Sequence, residues 1–241
     1  MTATELFQQG KLQQAIEALG EEVRNAPIDA KRRTFLFELL CFSGEYDRAE
    51  KHLSILADGS QAAGMGALLY RSALHAEKMR QQMFAERTFP MTHRIPSRSI
   101  RHAGEFGHSF SDADPRIGGA LELFVAGSYT WVALEQIARI EVPKPKRLRD
   151  LLWTPAIVTT TPEYKAMELG EVLIPVISPL SWQHEDDDVR LGRSTVWIED
   201  ETYGDIPLGQ KLFILDGQEI PILELGVIEF ENALGEGRAA S

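Results

Sequence analysis

Five residues in one short stretch carry side chains able to do chemistry: His93, His102, His108, Asp112 and Asp114. Imidazole and carboxylate together can ligate a divalent metal or pass a proton between acid and base. Their spacing argues against a metal. No two of these histidines stand at the i, i+4 interval that puts both rings on one helix face, and the single cysteine, Cys41, lies far off in an apolar run. The acidic run Glu185-Asp186-Asp187-Asp188 offers oxygen ligands but lacks the glycine and distal glutamate of a calcium loop, so it reads as a solvated loop. The sequence therefore predicts no metal site and no cofactor.

Other catalytic patterns are missing as well. Ser128 and Ser181 lie in no Gly-x-Ser-x-Gly elbow, and no glycine-rich phosphate cradle of either common spacing occurs. A non-enzyme is the expectation, with a His/Asp site in the β half kept as the alternative. The balance of 25 basic against 36 acidic residues, net charge -11, disfavours a polyanion as main partner, because nucleic-acid binding depends on clustered cations. The dense basic piece Lys144 to Arg149 reads as a solvated linker. One cysteine permits no internal disulfide, and neither a signal peptide nor an apolar run of about 20 residues is present, so a cytoplasmic protein without membrane contact is expected.

The elements that must position these residues fall into two regimes. Over residues 1–88 apolar residues recur at helical spacing, and Gly10, Ala15 and Leu19 are echoed by Gly44, Ala49 and Leu53 at a constant offset of 34 residues. That period is the tetratricopeptide spacing: glycine turns one helix into the next, alanine admits close approach, and leucine fills the groove between hairpins. Met65, Leu68, Leu69, Ala73, Ala76, Met79 and Met83 predict a capping helix with these side chains in the core. Residues 89–116, broken by Pro90, Pro96, Gly104, Gly107 and Pro115, read as a linker.

Residues 117–231 read as a β-rich domain and 232–241 as a flexible tail. Leu121 to Val125 and Tyr129 to Trp131 predict a hairpin; further strands are expected over 157–161, 171–177 with Pro175 at an edge or a bulge, 195–198, and 211–225 with a two-residue Asp216-Gly217 turn, and Gly226 to Phe230 is expected to close the sheet. Helical hairpins followed by a small, mainly antiparallel sheet make an α+β protein. The stretch Gly127 to Trp153 sits at the seam, and two or three helical repeats are too few to stand alone.

Several motifs in order carry a resemblance: Phe110-Ser-Asp112-Ala-Asp114-Pro, then Gly118 and Glu122, Gly127-Ser-Tyr129-Thr-Trp131, Leu148-Arg-Asp-Leu-Leu-Trp153-Thr-Pro155, and Leu191-Gly-Arg-Ser-Thr195-Val-Trp197, together with Gly10 to Ala15. Over essentially its whole length the chain resembles the ImpE/SciE (TagJ) family. One departure is Ala133, where the family pattern leads one to expect proline after Trp131-Val132. The resemblance implies an accessory protein of bacterial type VI secretion that binds a helical segment of the small sheath subunit and assists the AAA+ ATPase ClpV. A generic repeat scaffold for another partner is the remaining alternative. Repeat geometry places Lys31, Thr34, Glu38 and Phe42 toward a partner groove, while Trp131, Arg149, Asp150, Trp153, Arg193 and Trp197 form an interdomain or second surface.

Overall fold

The computed structural model describes residues 1–57, 61–90, 94–164 and 169–231, with residues 61–65 as backbone alone. Five helices come first: α1 (Ala3–Gln8), α2 (Leu12–Asn25), α3 (Ala30–Phe42), α4 (Tyr46–Ala57) and α5 (Gln61–Glu86). Local chemistry sets their ends. Thr2 and Glu5 form a reciprocal capping box on α1, and the Asp29 side chain accepts from the Lys31 and Arg32 amides at the start of α3. Gly10 and Gly44 hold left-handed φ of 76° and 74°, which lets α1 turn into α2 and α3 into α4 without Cβ strain. At the 34-residue offset, Ala15 and Ala49 are both fully buried, as are Leu19 and Leu53.

Twelve strands follow: β1 (Ser97–His102), β2 (Glu105–Asp112), β3 (Ala120–Val125), β4 (Ser128–Ala133), β5 (Ile137–Glu141), β6 (Trp153–Thr160), β7 (Gly170–Pro175), β8 (Thr195–Asp200), β9 (Gly204–Gly209), β10 (Leu212–Leu215), β11 (Gln218–Pro221) and β12 (Val227–Phe230). Ten of them pair antiparallel in the order β11-β10-β2-β1-β12-β5-β6-β7-β3-β4, and β8 and β9 form a separate hairpin. The architecture is α+β, with a large sheet rather than a small one. Both expected hairpins form, each on a two-residue turn whose residues have positive φ: Ala126-Gly127 and Asp216-Gly217.

Three expectations are revised. The stretch read as a linker contains β1 and β2, which lie inside the sheet; Gly104 serves a tight turn with φ 87° rather than a break in structure. Pro175 is at neither a sheet edge nor a bulge. It pairs with Trp153 as the last residue of β7, between β6 and β3, where its missing N–H ends the strand. β12 inserts between β1 and β5 instead of closing an edge.

The helical layer and the sheet share one interior. Phe124 of β3 and Trp153 of β6 belong to the apolar cluster built on Leu12, Ile16, Leu36, Phe37 and Leu40, while the opposite side of the sheet buries Leu121, Leu123, Ile140, Ile174 and Ile228. Strand β3 is thus buried on both faces. On α5 the buried side is Ala73, Leu74, Ala76, Glu77, Arg80 and Phe84; Leu68, Leu69 and Met79 are exposed, contrary to the expected core stripe, and the Met65 side chain lies outside the described residues. No helix, among the described residues, is long and apolar enough to cross a membrane.

Candidate functional site

The junction between α5 and the sheet is built on charge. Arg80, one helical turn from Glu77, is fully buried and reaches Glu122 of β3 with two parallel hydrogen bonds, Nε to Oε1 at 2.7 Å and Nη2 to Oε2 at 3.1 Å. This is the fork geometry at which guanidinium excels. Lys211 approaches the same carboxylate at 2.6 Å and Asp112 at 2.5 Å. Glu77 in turn accepts from Arg80 at 3.2 Å and from the Trp153 indole N–H at 2.9 Å, and Tyr129 donates to Glu122 at 2.6 Å and receives the Trp131 N–H. Next to this network Arg116 closes on Asp114 through Nε at 2.8 Å and stacks over Phe84 at 4.8 Å.

Three carboxyls, Glu77, Glu122 and Asp112, share two cations in a dry interior, so they cannot all ionise with equal ease. Burial disfavours the charge on Glu122, but Arg80 and Lys211 outweigh it and hold this carboxyl well below the usual range. Asp112 goes the other way. Burial pushes it up to about 7, against the pull of Lys211 and with the neighbouring Glu122 and Asp114 charges adding to the rise. Lys211 is raised: burial opposes its charge, and Asp112 and Glu122 more than compensate. The arrangement can lock two layers together. The neighbouring cavity, lined by Cys41, Tyr46, Glu77, Trp153 and Trp182, holds about 20 Å³, room for a single water.

A second contact lies at the helix turns. The loop after β7 carries a short helix, α6 (Asp187–Arg190), and Asp187 Oδ2 accepts from the Leu12 amide at 2.8 Å. Lys11, at the N-cap of α2, provides no side-chain cap, so the cap comes from 175 residues away. Arg193 donates to the Phe7 and Gln8 carbonyls at 2.6 and 3.2 Å and stacks over Phe7 at 5.2 Å. Gly10 abuts Asp188 and Arg193, and Gly44 abuts Trp182, where a Cβ would fall 2.4 Å from the ring. Glu185, Asp186 and Asp188 of the acidic run are exposed, as a solvated loop would be, while Asp187 reaches α2; with Trp182 and Arg193 on either side, the segment forms a clasp over both glycine turns.

Of the α3 residues predicted to face a partner, Lys31 is exposed and Thr34 half-buried, whereas Glu38 and Phe42 are buried. Glu38 accepts from Tyr70 at 2.9 Å, and burial raises its carboxyl to about 7 despite that hydrogen bond and the nearby Arg149. Lys31 lines an open groove of about 600 Å³ with Thr4, Leu19, Glu22, Arg32 and Phe35, between α1, α2 and α3. In the second predicted set, Trp153 is buried, Trp131 packs against Phe84, Arg149 and Asp150 lie in the turn before β6, Arg193 reaches α1, and Trp197 stands 40% exposed on the β8–β9 hairpin.

The His and Asp residues that opened the question do not come together. Asp112 and Asp114 are buried in ion pairs, His102 bonds the Leu225 carbonyl at 2.9 Å, His108 is exposed, and His93 lies outside the described residues. Among the described residues no group of three His, Cys, Asp or Glu could hold a metal. Glu77, Arg80, Lys211 and Asp187 were missed in the sequence. A signal existed for three of them: Glu77 and Arg80 stand on the apolar face of α5, and Lys211 sits between Leu208 and Leu212-Phe213, where an unpaired charge would be costly.

Residues 104–229 match the family model described as ImpE protein. The chain is 30% identical over 265 residues to a Pseudomonas aeruginosa protein described as type VI secretion system accessory component TagJ, a match covering 96% of this chain and 92% of that protein. The fold is similar to that in the crystal structure of protein VPA1032 from Vibrio parahaemolyticus, with a TM-score of 0.84 at 22% identity, covering 96% of this chain and 98% of the other.

Proposed function

The chain belongs to the ImpE family, and from that premise we propose that it is a non-catalytic accessory protein of the type VI secretion system that binds a helical segment of the small sheath subunit. The similarity to TagJ of Pseudomonas aeruginosa supports the general role. The observation that carries the specific one is the groove between α1, α2 and α3, about 600 Å³ and open to solvent, with Leu19 and Phe35 at its floor and Lys31, Arg32 and Glu22 around it. Apolar anchors within a charged rim are what an amphipathic helix requires. The helical hairpins, with their 34-residue offset and matched alanines, act as a tetratricopeptide-like unit over residues 1–88.

The clasp over Gly10 and Gly44 occupies the turn side of the hairpins and does not cover this groove, which supports the reading. Lys31 and Thr34 contact the partner; Glu38 and Phe42 support α3 from behind. By holding the sheath subunit, the protein assists the ClpV ATPase in handling contracted sheaths in the cytoplasm. Calorimetry with a peptide spanning the helical segment of the small sheath subunit tests the proposal. Binding that weakens about tenfold in Lys31→Glu/Arg32→Glu supports it. No binding at high micromolar peptide, or binding indifferent to that double change, contradicts it.

A further inference from the structure

The β8–β9 hairpin stands apart from the ten-stranded sheet and offers a surface of its own. Strand β8 pairs with β9 alone among the described strands, in unbroken register from Thr195 to Asp200, so its other edge has no strand beside it. Exposed edges are usually blunted by proline, lysine or a bulge. This one, Thr-Val-Trp-Ile-Glu-Asp, carries none of them, and Trp197, Ile198 and Glu199 are exposed along it. The hairpin is also anchored: Arg87, just past the end of α5, grips the Asp200 carboxylate with two bonds of 3.0 and 2.9 Å and stacks over Tyr203 at 5.3 Å.

Side chains alternate across a strand, so one face of the hairpin presents Trp197 and Glu199, with Pro207 and Asp205 directly opposite them on β9. Glu199 and Asp205 are therefore two exposed carboxylates set against each other as a cross-strand pair, an arrangement that costs stability unless a cation joins them. Neither has an ion-pair partner among the described residues; the nearby cation, Arg87, is engaged by Asp200. Trp197, 40% exposed and two residues from Glu199 on the same face, adds an aromatic surface on which a cation can rest. Ring and carboxylates together call for a guanidinium or ammonium group, and the open edge calls for a backbone to carry it.

We propose that β8 takes an extended basic segment of another protein as an added strand, with an arginine or lysine of that segment lying between the Trp197 ring and the Glu199–Asp205 pair. Backbone hydrogen bonds to the free edge supply the attachment, and the carboxylates select the sign of charge. A second copy of this chain brings the same acidic strand, and a nucleic acid or anionic membrane is repelled, so none of these fits. The site shares no residue with the α1–α3 groove and does not depend on the sheath-subunit reading. The probe is a blocked peptide of about seven residues alternating arginine and valine, titrated calorimetrically into the full chain. It binds, about tenfold more weakly to Trp197→Ala and to Glu199→Gln/Asp205→Asn but equally well to Lys31→Glu/Arg32→Glu. Of the two forms of the peptide N-methylated at every second residue, one loses binding, which a merely electrostatic association would not show. Glu199 and Asp205 are exposed, so their neutral variant keeps the fold and remains decisive should Trp197→Ala unfold the hairpin. No binding at about 1 mM peptide, equal binding of both N-methylated forms, an affinity unchanged by Glu199→Gln/Asp205→Asn, or a dimer of the chain paired through β8 would overturn the proposal.

Discussion

Glu122 holds two cations at once, and its surroundings are dry: Arg80, Lys211 and Glu122 itself are each no more than 1% exposed. Removing one charge from such a set leaves its partners uncompensated, which typically destabilises by about 3–5 kcal/mol. Glu122→Gln is therefore expected to lower the unfolding free energy by that order in urea titrations, while a loss under 1 kcal/mol would deny the network its structural part. Glu38 makes a different prediction. Its folded-state carboxyl titrates near 7, against 4.5 for the free side chain. A raised value means stability present below about pH 4.5 and lost as pH rises through 7, since the unfolded chain sheds the proton first. Glu38→Gln removes that dependence. Relative to wild type, the variant gains stability between pH 5 and pH 8, on the order of 2 kcal/mol, and parallel pH profiles for the two proteins would refute the assignment.

At the scale of elements, the sequence disclosed what repeats and what alternates. The 34-residue echo of Gly10, Ala15 and Leu19 located the helix turns because one backbone conformation and one close approach recur there. The hairpins at Ala126-Gly127 and Asp216-Gly217 were legible for the same local reason. Pairings across the chain were not. Gly104 and Gly107 read as breaks because what orders β2 is hydrogen bonding to β1 and to β10, roughly a hundred residues later in the chain. Asp187 read as one acid in a solvated run because the amide it caps belongs to Leu12. That pairing is testable: Asp187→Ala should cost about 1 kcal/mol, the usual worth of an N-cap. Hydrogen exchange should locate the loss in the first turn of α2, and unaltered protection of the Leu12 amide would show that the cap comes from elsewhere.

For the whole molecule, the candidate site was legible in parts. The motif residues Asp112, Asp114, Glu122, Tyr129, Trp131 and Trp153 stood out as a set, but their common target, α5, did not, because Glu77 and Arg80 show their purpose only once the sheet lies against them. This mutual dependence predicts one folding unit. A fragment of residues 1–88 loses Glu122, Trp153 and Asp187 together and exposes Glu77, Arg80 and Phe84, so it should melt without a cooperative transition. A sharp, reversible transition in that fragment would show the helical layer to be self-sufficient.

Function rests on which surface meets the partner. Photo-crosslinking from single benzoylphenylalanine substitutions to the purified small sheath subunit examines this directly, with Lys31 and Phe35 in the α1–α3 groove and Met79 on the exposed side of α5 as the comparison. The groove reading predicts crosslinks from positions 31 and 35, mapped to one helical segment of the sheath subunit, and none from position 79. Crosslinks from position 79 with none from the groove would contradict it.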